Sequence, residues 1–100
     1  MKAELSKSNV KNKKYKVVLI DGDKKRTINF GDNRYEDYTT HKDPKRKENY
    51  ITRHEKRENW NDPFTAGYWS RWILWNQPSI EASVRDLRKR YSSLEIINKI

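Results

Sequence analysis

Apolar and polar positions change rhythm several times along the chain, and each change marks an expected element. Residues 1–14, MKAELSKSNVKNKK, are polar and lysine-spaced without a sustained period, which reads as a basic flexible arm that a partner would have to order. Tyr15 to Ile20 (YKVVLI) is β-branched and apolar, Asp21-Gly22-Asp23 carries turn chemistry, and Arg26 to Phe30 (RTINF) alternates. Together they predict a β-hairpin with Ile28 and Phe30 toward the core. Gly31-Asp32-Asn33 ends the second strand, and Tyr35 and Tyr38 fall in the loop beyond it.

Helical periodicity takes over at Asp43-Pro44. Asp can cap free amides, and proline at the first helical position loses no hydrogen bond, so a first helix is expected over about 44–58. Its inward stripe is Tyr50, Ile51 and His54, narrow but able to pack on the hairpin. Asn61-Asp62-Pro63 restarts the chain, and Ala66 to Trp75 (AGYWSRWILW) is apolar around most of its circumference. That predicts a buried central helix carrying Trp69, Trp72 and Ile73, with an exposed partner-binding patch as the alternative. Gln77-Pro78 stops this helix, Ser79 caps the next, and Ile80, Val84, Leu87 and Tyr91 form the stripe of a third. The expected fold is α+β: an N-terminal β-hairpin packed on three helices, the middle one tryptophan-rich. Residues 15–91 make one domain. Residues 92–100, with Leu94, Ile96, Ile97 and Ile100, read as an apolar C-terminal tail suited to docking on a neighbour, whose removal should leave the domain folded.

Composition sharpens this picture. In 100 residues only 33% are hydrophobic, so a few large side chains among 4 Trp and 6 Tyr must carry the core. Lys and Arg number 23 against 14 Asp and Glu, a formal charge of +9 that attracts polyanions, of which nucleic acid is the commonest. The chain contains no cysteine, which removes disulfides, thiolate metal sites and cysteine nucleophiles. Neither a membrane-spanning run nor a secretory h-region is visible, so the expectation is a protein that is not secreted and acts inside a cell or a particle.

The segment from Thr40 to Trp75 interleaves basic residues with large aromatics. Guanidinium groups read phosphate oxygens and stack on flat rings, a mixture suited to recognition. On the first helix Arg46, Arg53 and Arg57 line up beside the apolar stripe, flanked by Lys42, Lys45 and Lys56. The Lys42/Arg46 and Arg53/Arg57 pairs at i, i+4 each cost a few tenths of a kcal/mol in isolation, so this ridge needs an anionic neighbour. That neighbour is either an external partner or Asp32, Glu36 and Asp37 of the preceding loop. A secondary basic face, Arg85, Arg88 and Lys89 with Arg90, reads equally as a solvated structural surface, because Glu81/Arg85 and Asp86/Arg90 are favourable pairs and cations suit a helix C-terminus.

No catalytic machinery is legible. His41 and His54 are the only histidines, no metal-ligand spacing surrounds them, and there is no glycine-rich phosphate loop or nucleophile elbow. The reading is a non-enzymatic chain with no cofactor, metal or small-molecule substrate.

The phrases HKDPKRK, YITRHEKRENW and TAGYWSRWILW, within a stretch running from Phe30 through Tyr91, resemble a small uncharacterised basic protein family of large eukaryotic DNA viruses, relatives of phycodnaviruses and mimiviruses. The resemblance covers about two thirds of the chain, excludes 1–14 and 92–100, and carries over no catalytic residue. It implies a viral source and a place in the virion or its genome-handling machinery. Two functions follow as expectations: nucleic-acid binding through phosphates with little sequence specificity, or a minor capsid or cement protein whose charges meet acidic faces of a shell protein.

Overall fold

The computed structural model describes residues 1–100 and is α+β. The expected hairpin is present as β2 (Lys13–Asp21) and β3 (Lys24–Asp32), closed by Gly22, whose φ of +61° the tight turn requires. With β1 (Lys2–Lys7) and β4 (Glu95–Asn98) it makes a four-stranded sheet ordered β3-β2-β1-β4. β1 pairs antiparallel with β2, setting Leu5 opposite Val17 and Ala3 opposite Leu19. β4 lies parallel to β1, with Ile96 opposite Ala3.

Both expected tails are therefore structural, contrary to the sequence reading. The first seven residues are no flexible arm: Ala3 and Leu5 alternate with Lys2, Glu4 and Ser6, and both are 0% exposed beneath the helices. Residues 92–100 are no docking tail either, because Leu94 and Ile96 are buried in the protein's own core.

Among the helices, α1 (Tyr38–His41) is a single turn capped by Asp37, and α2 (Pro44–His54) is capped by the Asp43 carboxylate, which accepts the Lys45 amide. α2 stops four residues short of the expected end. α3 (Ala66–Trp69) runs on into a π-helical turn, Ser70–Leu74, and α4 (Ile80–Arg90) starts at the Ser79 cap. The central segment is thus helical and buried as expected, but its second half widens to i, i+5 bonding, with the Trp75 amide donating to the Ser70 carbonyl. The wider turn takes Trp72, Ile73 and Leu74 into the core and leaves Trp75 to meet α2.

One face of the sheet packs against this layer. Phe30 touches Trp69, whose indole nitrogen donates to the Pro63 carbonyl, and Val84 and Leu87 of α4 close the other side. The hairpin does not rest on three helices alike. α2 buries only Tyr50, and that ring goes to Trp75 and Trp60 instead of the strands. A stripe of one large residue is too narrow to cover a sheet. No helix is long and apolar enough to cross a membrane.

Candidate functional site

Because α2 buries only Tyr50 against the body of the protein, a cleft of about 880 Å³ opens between it and the ends of β2 and β3. One wall is Lys13, Lys14, Gly31 and Asp32; the other is α2, which presents Arg46, Asn49, Arg53 and, just beyond the helix, Arg57 at helical spacing. Tyr50 and Trp75 form part of the lining, Leu74 and Ser70 the floor, and Tyr35 stands at the mouth. Gly31 has φ +78°, and a Cβ there would lie 2.8 Å from Leu74 Cδ1 and 3.2 Å from Lys14 Cβ, so the wall can come this near the π-helical turn only with glycine.

The aromatic file is continuous. Tyr50 stacks on Trp75 at 4.4 Å, on His54 at 4.3 Å and on Trp60 at 6.4 Å. Burial pushes the Tyr50 hydroxyl well above the ordinary tyrosine value, with the Glu58 charge adding to the effect and Arg71 opposing it.

The charges of the cleft decide between internal and external neighbours for the arginine ridge. Asp32 is taken by Arg34, whose Nε and Nη2 donate to it at 3.0 and 2.8 Å; these side-chain bonds and the Arg34 amide hold its carboxyl at about 2. Asp37 is taken by Lys14 Nζ and by the α1 cap, where it accepts from the Thr39 amide and hydroxyl. Glu58 is taken by His54 Nδ1 at 2.7 Å. Only Glu36 reaches the ridge, at 3.5 Å from Arg46, and both side chains are exposed, so the contact contributes little. Neither Arg53 nor Arg57 belongs to any of the six ion pairs; the Arg57 guanidinium merely donates to the Arg53 carbonyl.

The other residues singled out from sequence scatter. Lys42, Lys45 and Lys56 are exposed and lie outside the cleft. On α4, Arg88 donates to the Ile96 carbonyl at 2.8 Å and so pins β4, while Arg85 and Lys89 are exposed. Arg90 closes the expected pair with Asp86 at 2.7 Å. Burial raises the Asp86 carboxyl, but hydrogen bonds from Asn76 and Arg90 outweigh it and hold the group below the ordinary carboxylate range.

Residues that sequence reasoning passed over matter as much. Lys13 and Lys14 form the far wall of the cleft, although as sequence they merge with the lysines before them. Tyr35 is 70% exposed, but it stands in the segment Asn33-Arg34-Tyr35-Glu36-Asp37, where one arginine is offset by two acids, so the sequence carried no signal for it. Lys47 turns inward, donating to the Asn76 carbonyl and lying over the Tyr38 ring; burial, with the Arg71 charge, lowers its pKa. His41 accepts the Asp43 amide and packs on Trp75, and no group of three or more His, Asp or Glu side chains is arranged to hold a metal ion. What the arrangement can do is hold anions against a flat aromatic lining.

No curated protein and no solved structure matches the chain. A family model does match, over residues 3–54, which takes in β1 to β3, both cleft walls through Arg53, and Tyr35, but not the tryptophan-rich segment. With just over half of its length covered by that model, the chain belongs to the family of unknown function DUF5754.

Proposed function

We propose that this protein binds nucleic acid through its phosphates, with little sequence specificity, at the cleft between α2 and the β2–β3 ends. The observation that carries the reading is the state of Arg53 and Arg57: exposed, lining one concave wall and lacking a carboxylate partner, while each acid lining the cleft except Glu36 is occupied elsewhere. Like charges kept side by side without compensation repel one another, and a phosphate backbone is a partner that relieves the repulsion. Lys13 on the facing wall would grip the same backbone from the other side. A binder of this kind belongs in the genome-handling machinery of a large DNA virus.

The alternative, a shell component of the virion, has less support. It relied on an apolar C-terminal tail free to dock on a neighbour, and Leu94 and Ile96 are spent within the protein. Its remaining support is that acidic protein faces also satisfy arginines.

Fluorescence anisotropy with a labelled oligonucleotide tests the proposal. If about 5 phosphates are neutralised, affinity falls roughly two to three decades between 50 and 200 mM salt. Binding indifferent to salt, or no binding at the lower salt, would refute it.

A further inference from the structure

The arginines of α2 face into a cleft, which bears on what form of nucleic acid fits. A helix that reads duplex DNA enters the major groove with its contact residues projecting from the protein. Here Arg46, Arg53 and the neighbouring Arg57 line a concave cleft together with Lys13, Lys14 and Asp32, so the candidate phosphate contacts surround a hollow instead of forming one projecting helix face. A flexible single strand can enter.

Two further observations concern bases, not phosphates. Tyr35, at the cleft mouth, is 70% exposed and has no stacking partner in the protein, which leaves a flat π-face free. At the other end of β3, a second hollow of about 490 Å³ is lined by Leu19, Asp21, Lys24, Lys25, Arg26 and Phe64. Phe64 is 38% exposed, and the Arg26 guanidinium lies 5.9 Å from its ring centroid. None of the three cations has an acidic partner within ion-pair distance. Both hollows border the same edge strand, and α3 links them too, since Ala66 and Gly67 line the cleft two and three residues after Phe64. From Arg26 to Asp32 the strand advances about 20 Å, a length that roughly six nucleotides cover at the stacked spacing of about 3.4 Å.

We infer that the cleft is one end of a single-strand track along β3, with Tyr35 and Phe64 as stacking platforms at its two ends and basic side chains beside each. The inference rests on the reading that the cleft binds phosphates and adds strandedness, length and two base contacts. Stacking uses the face that every base presents, so the track is indifferent to sequence, and DNA and RNA single strands share the chemistry.

The test is anisotropy on the full chain with oligothymidylates of increasing length, an oligouridylate and a hairpin duplex, using the wild type, Tyr35→Leu and Phe64→Leu. Both positions are exposed, so the variants keep the fold, which circular dichroism checks. Single strands should bind more tightly than the duplex, with affinity rising to a length of roughly six nucleotides. Each leucine variant should lose about tenfold on the longer strands with its salt slope unchanged, because stacking releases no counterions. These losses on either sugar support the track, and the relative affinities of the thymidylate and the uridylate assign its natural ligand. Duplex bound as tightly as single strands, or a loss at Tyr35 without one at Phe64, overturns the track while leaving phosphate binding in place. Absence of salt-dependent binding to any of these probes overturns both.

Discussion

The rings of Tyr50 and Trp75 lie 4.4 Å apart and within 2° of parallel. Since Tyr50 is the one residue α2 buries, this stack is the main apolar attachment of the arginine-bearing helix and sets the width of the cleft. Tyr50→Ala should cost roughly 3 kcal/mol, near the lower end for truncating a buried aromatic. It should also weaken nucleic-acid binding although no charge is removed. Tyr50→Phe keeps the stack and should retain both properties. Denaturant unfolding and anisotropy on the two variants check this, and full binding by the alanine variant would contradict the positioning role.

Removal of residues 92–100 should unfold the protein or leave it without a cooperative transition. The truncation deletes β4 along with Leu94 and Ile96, which are 6% and 4% exposed, and burying such side chains contributes about 1.5 to 3 kcal/mol each. A small domain has only about 5 to 15 kcal/mol in total. Removing β1 from the other end should be worse, because it lies between β2 and β4. A thermal melt by circular dichroism decides, and a truncated chain melting within a few degrees of the full one would contradict the role of β4.

Alkaline pH should destabilise the fold through its buried tyrosines. Burial raises the hydroxyl pKa of Tyr68, reinforced by Tyr91, and burial likewise raises that of Tyr50. A group whose pKa is higher folded than unfolded contributes stability that is complete below the unfolded value and lost as pH rises above it. The loss should therefore begin near the ordinary tyrosine value of about 10 and steepen beyond it. Unfolding free energies measured against pH should fall less steeply for Tyr68→Phe than for the wild type, and identical slopes would show that Tyr68 ionises freely in the folded protein.

What was legible in the sequence, and what was not, follows from the range of each interaction. YKVVLI, DGD and RTINF give β2, its turn and β3, and Asp43-Pro44 and Ser79 cap α2 and α4 where expected, because these signals lie within a few residues of what they specify. β1 was hidden because Ala3 and Leu5 are a two-residue alternation among lysines, and their burial depends on strands from elsewhere in the chain, including β4 from its far end. The π-helical turn has no local signature in AGYWSRWILW. The candidate site was half visible: Arg46, Arg53 and Arg57 share a face by spacing alone, whereas the opposing wall depends on Lys14 reaching Asp37 across 23 positions.

The most direct test of phosphate binding at the cleft is the salt dependence of nucleic-acid affinity for the wild type beside an Arg53→Ala, Arg57→Ala double variant. Both side chains are exposed and unpaired with any acid, so the variant should fold as the wild type does. Each arginine that meets a phosphate contributes close to one unit to the slope of log affinity against log salt, so the slope should shrink by about two, with affinity falling alike for every sequence tried. An unchanged slope in the double variant would place the contacts elsewhere and contradict the assignment of the cleft.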